Sequence, residues 1–167
     1  WSASPPANRY GGPTHGGTAI IWPRDSRLAN GKPVKSSSHR SVARAWTGLS
    51  VTSAYGPASE CSTPWLTEAM FNATRHQDYA IIAGDLNWRR SYHTLLGSDW
   101  SVSDHLPSTI AGFTAPTRIM LSAGLFATPC CPPTPLPGIP HHAAMSWVVS
   151  GPASLQHLCA PPCPARP

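Results

Sequence analysis

Residues 79–90 read YAIIAGDLNWRR, the stretch on which the fold assignment depends. The run from Tyr79 to Ala83 is apolar and rich in branched side chains, which is typical of a buried β-strand. Asp85 and Asn87 follow it, two positions apart. Side chains two apart on an extended backbone point to the same side. The pattern therefore predicts that a carboxylate and an amide converge at the end of a buried strand.

The chemistry of this pair favours a hydrolytic site. The carboxylate of Asp85 can accept a proton from water, and the amide of Asn87 can donate a hydrogen bond to a developing oxyanion. Such a pair suits attack of water on a phosphodiester. Glycine, aspartate and asparagine are also common turn formers, so the tetrapeptide GDLN by itself favours a plain turn. From these residues alone, both interpretations stay open.

The segments before this strand predict an α/β domain. Residues 49–54 alternate in polarity and are predicted as a strand that ends before Gly56-Pro57. Thr63 is a candidate N-cap, and a helix is predicted from Pro64 to about Arg75. Its apolar side is formed by Trp65, Leu66, Ala69, Met70 and Ala73. Strand, helix and strand in this order indicate a layered α/β fold.

The rest of the chain divides into further strands and irregular segments. Strands are predicted within residues 16–23 (GGTAIIWP), 116–125 (PTRIMLSAGL) and 143–150 (AAMSWVVS). Residues 24–41 are predicted as a loop or hairpin with a tight turn at Asn30-Gly31. The expected organisation is an irregular lead-in over 1–15, one domain over 16–150, and a disordered tail containing proline and cysteine over 151–167.

Composition narrows the class of partner and compartment. The net charge is +5 and the pI is near 9.2, which favours an anionic partner. The cysteine count of 5 is odd and the spacing irregular, so a reducing, intracellular location, the nucleus included, is expected. Cys159 and Cys163 lie near His157, but no second ligand pair stands at zinc-finger spacing. No apolar run reaches about 18 residues, so no membrane partner is expected.

Five segments in order resemble a known family. GGTAII, VTSAYGP, AIIAGDLN, TRIMLS and PHHAAMSWVV resemble the endonuclease/exonuclease/phosphatase superfamily, in particular the endonuclease domains of non-LTR retrotransposons. The resemblance covers residues 16–150. It implies a partial four-layered α/β sandwich of this type. It also implies hydrolysis of phosphodiesters with Mg²⁺ (or Mn²⁺) and a nucleic acid partner, namely DNA.

The resemblance assigns roles to individual residues. It implies that Asp85 activates the attacking water and ligates the metal. Asn87 and Tyr55 would contact the scissile phosphate. Arg89 and Arg90 follow the site directly and are expected to contact substrate phosphates.

Two histidines compete for the family's closing Ser-Asp-His motif. Ser103-Asp104-His105 copies its wording but lies before TRIMLS, out of the family's order. His142 stands in the right place before the last predicted strand, and the prediction favours it as the catalytic histidine. The alternative is that Asp104 and His105 serve the site.

The chain departs from the family pattern at three points. Residues 1–24 hold no acidic residue, so the family's early metal-binding glutamate is missing. The family's Arg-Ile-Asp reads Arg118-Ile119-Met120, and His141 replaces the aspartate before His142. One carboxylate is a poor magnesium site. The prediction is a truncated, degenerate metal-dependent endonuclease domain with little activity. The alternative is a non-catalytic remnant that binds only nucleic acid or a protein partner.

Overall fold

The structure is a computed structural model that describes residues 2–3, 18–22, 27–35, 40–57, 64–75, 77–88, 90–103, 117–135 and 143–158. Its strands are β1 (Ser2–Ala3), β2 (Ala19–Ile20), β3 (Lys32–Val34), β4 (Ser41–Trp46), β5 (Leu49–Ala54), β6 (Tyr79–Asp85), β7 (Trp100–Val102), β8 (Thr117–Ser122), β9 (Phe126–Pro129), β10 (Thr134–Pro135), β11 (Ala143–Ala144) and β12 (Trp147–Ser150). The α-helix α1 spans Pro64–Thr74, and short 3-10 helices span Arg27–Asn30, Arg90–Leu95 and Ala153–Leu158.

A six-stranded sheet in the order β3-β4-β5-β6-β8-β7 forms the centre. β5 and β6 are parallel and α1 connects them, whereas every other neighbouring pair in this sheet is antiparallel. A parallel pair needs such a crossover, because a tight hairpin can join only antiparallel strands. The prediction of an α/β domain is confirmed as a mixed sheet with few helices.

The predicted helix is confirmed within one residue of its expected end. Pro64 occupies its first position, where the missing N–H costs no hydrogen bond. Leu66 and Ala73 are buried against the sheet. The Ser50 hydroxyl on β5 donates to the Ala73 carbonyl at 2.6 Å, which ties the last turn to the sheet. The N-cap predicted at Thr63 lies outside the described residues.

Alternate residues of the strands face two separate cores. One core, the helix-side core, lies under α1 and the 3-10 helix Arg90–Leu95, which we call the 90–95 turn. Its buried members are Ala54, Leu66, Ala73, Ala80, Ile82, Leu86, Tyr92, Leu96 and Met120. The other, the strand-side core, lies under β9, β12 and the 3-10 helix Ala153–Leu158, which we call the 153–158 turn. Its buried members are Leu49, Ile119, Leu121, Leu125 and Leu155. Because side chains alternate along a strand, β6 contributes Ile82 to the first face and Ile81 to the second.

The described residues cover the strand-side face only in part. β9 and β12 form a two-stranded antiparallel pair, and Ala127 and Val149 pack from it onto the core. A cavity of about 270 Å³ remains between this pair, the 153–158 turn and the sheet. Its apolar lining includes Val51 and Ile81. Within the described ranges, the second layer therefore leaves part of this face open.

Several sequence predictions about local structure were wrong. β4, β7 and β9 were not predicted as strands. β7 and β9 are short, and β4 carries serine and arginine where β6 has an apolar run. The tight turn predicted at Asn30-Gly31 is displaced: the Gly31 N–H donates to the Leu28 carbonyl at 3.3 Å, at the end of the 3-10 helix Arg27–Asn30. Gly31 is buried against the Trp46 indole, and a Cβ there would lie 2.3 Å from Trp46 Cε2. Gly31 is thus explained by close packing of a ring, and the hairpin of 24–41 instead joins β3 to β4.

The ends of the chain differ from the prediction as well. Ser2–Ala3, in the predicted irregular lead-in, pairs with β2, which is shorter than the strand predicted over 16–23. The predicted disordered tail begins instead with an ordered segment. Residues 151–158 form a turn because Leu155 buries its side chain in the strand-side core. A single buried leucine in a polar, proline-containing segment gives no periodic pattern by which it could be recognised.

Candidate functional site

The carboxyl ends of β5 and β6 bring the main predicted residues together. Because these strands are parallel and adjacent, both end on the same side of the sheet, which we call the Asp85 end. The Gly56 N–H donates to the Asp85 carbonyl at 2.8 Å, so Tyr55 and Asp85 belong to adjoining segments. Ligands of open α/β sheets commonly bind outside the carboxyl ends of the strands.

Two glycines allow these strand ends to approach. Gly84 has φ of +146°, and a Cβ there would lie 2.1 Å from the Ala54 carbonyl oxygen. A Cβ on Gly56 would lie 2.2 Å from the Leu86 carbonyl oxygen. Any larger residue would push the two segments apart. Both glycines are therefore required for the Asp85 end to form.

The GDLN segment is a hydrogen-bonded turn. Leu86 is fully buried in the helix-side core, and Asn87 has a φ of +45°, a conformation that asparagine tolerates better than most residues. The Asn87 N–H donates to Asp85 Oδ1 at 3.2 Å, and Asn87 Nδ2 donates to the Gly56 carbonyl at 2.8 Å. The turn interpretation is confirmed, and it explains each of the four residues structurally.

Asp85 and Asn87 lie close together, but the extended backbone on which the prediction relied does not reach Asn87. The strand ends at Asp85, and the left-handed backbone at Asn87 breaks the alternation on which the prediction relied. The turn, and not an extended backbone, holds the two residues together. The Asp85 side chain is half-buried, and within the described residues its sole hydrogen bond is the one from Asn87.

Two residues at this end were missed by sequence reasoning. The Tyr55 N–H donates to the Arg40 carbonyl at 2.8 Å, which places Arg40 beside the half-buried Tyr55. Thr117, the first residue of β8, pairs directly with Asp85. No local signal identifies either residue, because their positions depend on the register between strands that are distant in sequence.

The remaining predicted site residues are not placed. Arg89 and His142 lie outside the described residues. Arg90 begins the 90–95 turn, and its side chain is not described. His142 directly precedes β11, which pairs with β10 outside the central sheet.

The competing motif also begins beside the sheet. Because β7 runs antiparallel to β8, it points toward the Asp85 end, and Ser103 follows it there. Asp104 and His105 come next in sequence but lie outside the described residues. The order of motifs along the chain therefore does not decide between His105 and His142.

The segment Arg118-Ile119-Met120 has a structural role in the sheet. Arg118 is buried, and its Nη1 donates to the Ser103 carbonyl at 3.2 Å, which ties the end of β7 to β8. Met120 is fully buried in the helix-side core and pairs with Ile82. A carboxylate at position 120 would lie in an apolar core, so this position contributes no acid to the Asp85 end.

The tryptophan after the site packs within the protein. Trp88 Nε1 donates to His93 Nε2 at 3.1 Å, and the Trp88 ring meets Tyr92 edge-on at a centroid distance of 5.5 Å. Because His93 Nε2 accepts this bond, the proton of a neutral ring lies on Nδ1. Trp88 is half-buried against the helix-side core, as is Trp100. Packing explains both tryptophans without base stacking.

The described residues at the Asp85 end offer few ligands for a magnesium ion. Asp85 supplies the sole carboxylate among the described strand ends there. No group of three or more His, Cys, Asp or Glu side chains close enough to hold a metal occurs in the part of the chain that the structure describes. Mg²⁺ requires near-octahedral oxygen ligation, usually with one or two carboxylates that substrate phosphates complement. The described residues at this end supply one half-buried carboxylate, and its Oδ1 already accepts a bond in the turn, so they do not by themselves complete a magnesium site.

Comparison with known proteins adds no assignment. Family models, curated proteins and solved structures give no significant match to the chain. Within the described ranges, no helix combines the length and apolar character needed to cross a membrane.

Proposed function

We propose that the chain is a degenerate domain of the endonuclease/exonuclease/phosphatase type. The domain binds a phosphodiester of nucleic acid, namely DNA, at the Asp85 end. The observation that carries this proposal is the convergence of Tyr55, Asp85 and Asn87. The resemblance assigned these residues to one site, and they come from two separate parts of the chain. The bond from Gly56 to the Asp85 carbonyl and the bond from Asn87 to the Gly56 carbonyl hold the two parts together.

The layering supports the same family. In the proposed four-layered sandwich, α1 forms an outer layer and the six-stranded sheet forms an inner one. The β9/β12 pair then corresponds to part of the second sheet, because it packs on the face opposite α1. We propose this correspondence from the order of layers alone.

The side chains at the Asp85 end suit binding of a phosphodiester better than its hydrolysis. The Tyr55 hydroxyl and the second amide hydrogen of Asn87 can donate to phosphate oxygens. The net charge of +5 favours approach of a polyanion. Asp85 can accept a proton from an attacking water, but its negative charge repels the phosphate. We therefore expect binding with weak hydrolysis, and no step is assigned to a metal ion.

The decisive variant is Asp85→Asn. Asparagine keeps an oxygen that can accept the bond from the Asn87 N–H, so the turn is retained while the base is lost. We expect weak nicking of supercoiled plasmid by the native chain, assayed with Mg²⁺, with Mn²⁺ and with EDTA. In Asp85→Asn this nicking should fall by about 100-fold or more, the usual contribution of a general base. Asp99→Asn is the matched control, since Asp99 is an exposed acid at the opposite end of the sheet.

Binding is measured separately by fluorescence anisotropy with a labelled duplex. Asp85→Asn should bind as tightly as the native chain or more tightly, because a repelling charge is removed, whereas Tyr55→Phe should bind more weakly. Affinity should fall as salt rises. Nicking that persists in Asp85→Asn would contradict the role of Asp85. Folded protein that binds no duplex would overturn the whole proposal. His142→Ala and His105→Ala, compared in the same assays, decide between the two histidines.

A further inference from the structure

Two strand pairs outside the central sheet follow each other along the chain. β9 pairs with β12, and β10 pairs with β11, both in the antiparallel direction. The registers of the two ladders leave residues 130–133 opposite residues 145–146. The longer segment must therefore bulge, and the chain bends at Cys131. A bulge re-aims side chains that would point to opposite faces on a regular strand.

Three sulfur-containing residues meet at this bulge. Cys130 and Cys131 are both exposed, and neither forms a disulfide bond. The Cys130 N–H donates to the Ser146 carbonyl at 3.0 Å, and Met145, which is half-buried, directly precedes Ser146. The fold therefore brings a thioether from the opposite segment beside two adjacent thiols.

The two thiols are poorly suited to a disulfide with each other. Adjacent Cα atoms are about 3.8 Å apart, whereas the Cα atoms of a disulfide are usually about 4.4–6.8 Å apart. A metal ion between the sulfur atoms widens their separation from about 2 Å in a disulfide to as much as about 4.6 Å, twice a metal–sulfur bond of about 2.3 Å. Bridging by a metal ion therefore avoids the strain of the disulfide.

The types of ligand select the class of ion. Thiolate and thioether sulfur are soft ligands, and copper(I) is an ion that they select. Structural zinc sites instead take four ligands from cysteine, histidine and carboxylate side chains. Within the described ranges, no group of three or more such side chains is close enough to hold a metal. Two thiols and a thioether therefore favour copper(I) over zinc.

We propose that Cys130, Cys131 and Met145 together bind one copper(I) ion. Binding breaks both S–H bonds, releases the two protons to solvent and forms two copper–thiolate bonds, while the Met145 thioether donates a lone pair. Copper stays in the +1 state, so no electron is transferred. The site lies on strands outside the central sheet and does not depend on the proposed phosphodiester site.

The test is competition for copper(I) between the full chain and the chromophoric chelator bicinchoninate, without oxygen and with ascorbate as reductant. We expect one copper(I) ion per chain. Loss of a partner outside the ligand set already costs about 10–100-fold in metal affinity, so Cys130→Ser and Cys131→Ser should each weaken binding about 100-fold or more. Met145→Leu nearly conserves volume and should weaken binding about tenfold.

Two controls separate this site from the other sulfur atoms of the chain. Met70→Leu removes a thioether from α1 and is the matched control for Met145→Leu. Cys61→Ser, Cys159→Ser and Cys163→Ser are combined in one variant that removes the remaining cysteines. Both controls should bind copper(I) as tightly as the native chain. Circular dichroism and thermal unfolding establish that every variant folds.

The proposal holds if only the changes at the bulge weaken copper(I) binding. It is overturned if the native chain retains no copper(I), if Cys130→Ser or Met145→Leu binds as tightly as the native chain, or if either control loses affinity equally. Zn²⁺ bound as tightly as copper(I) would also overturn it. So would one copper ion for every two chains, because the site would then be shared between copies.

Discussion

Ile81 and Ile82 are neighbours on β6, yet they face very different surroundings. Ile82 is fully buried beneath α1, whereas Ile81 is half-buried and lines the cavity of about 270 Å³ on the other face. One residue type on one strand thus samples both faces of the sheet. The helix-side face is closed by an amphipathic helix and a turn. Among the described residues, a two-stranded pair and the short 153–158 turn close the strand-side face only in part.

The difference shows that the two covers arise from different ranges of sequence. α1 lies between β5 and β6, so its apolar residues reach the sheet through a local connection. The strand-side cover pairs Phe126–Pro129 with Trp147–Ser150, segments that are separated along the chain. Loop closure must precede such contacts, and their energetic gain comes late. Because the helix-side core buries more side chains than the strand-side core, we expect the helix-side face to contribute more to the free energy of unfolding.

The largest expected effect is the difference in the free energy of unfolding between Ile82→Ala and Ile81→Ala. Ile82→Ala should lower the free energy of unfolding by about 4 kcal/mol, because it opens a new cavity in a closed core. Ile81→Ala should cost only about 2 kcal/mol, because its side chain already borders open space and less contact is lost. Urea denaturation of both variants measures the difference, with an unchanged m value as the sign that two-state unfolding is retained.

Equal losses in the two variants would contradict the comparison, since the strand-side face would then be as closely packed as the other. The two substitutions remove the same atoms from adjacent residues of one strand. Strand propensity, unfolded-state effects and sequence context are therefore nearly matched between them. The packing of the two faces is the variable that remains.

The same contrast explains which parts of the fold the sequence could predict. α1, β5, β6 and β8 were predicted because each carries a strong local pattern of apolar residues. β7 and β9 were missed because Trp100–Val102 and Phe126–Pro129 are short and become strands only by pairing with distant segments. The order of strands in the sheet, with β8 between β6 and β7, has no local signal either.

The candidate site was predictable to a similar extent. The position of Asp85 at a strand end follows from the apolar run before it. The approach of Tyr55 follows from the parallel pairing that a strand–helix–strand order implies. The left-handed Asn87 and the presence of Arg40 and Thr117 could not be predicted, because they depend on turn geometry and on register.

A smaller effect is expected where the strand-side cover is anchored. Leu155 is the buried residue of the 153–158 turn and packs into the strand-side core. Leu155→Ala should lower the free energy of unfolding by about 2 kcal/mol, at the low end for leucine, because the turn can shift to relieve the gap. It should also raise the fluorescence of the apolar dye ANS, since the cavity beneath the turn becomes more accessible. Leu66→Ala on α1 is the matched variant and should lower the free energy of unfolding by more than Leu155→Ala does. Unchanged ANS binding in Leu155→Ala would show that the turn does not cover the cavity.

The smallest expected effect on the free energy of unfolding comes from adding side-chain carbons instead of removing them. The change should have opposite signs on the two faces of the sheet. Ala80 is fully buried on the helix-side face, so Ala80→Val should destabilise by about 1 kcal/mol or more through overpacking. Val51 lines the strand-side cavity, so Val51→Ile should be neutral or stabilise by about 0.5–1 kcal/mol. Both changes raise β propensity or leave it unaltered, so propensity alone cannot produce opposite signs. If Val51→Ile destabilised as much as Ala80→Val in urea denaturation, the strand-side face would have no space for an added methylene group.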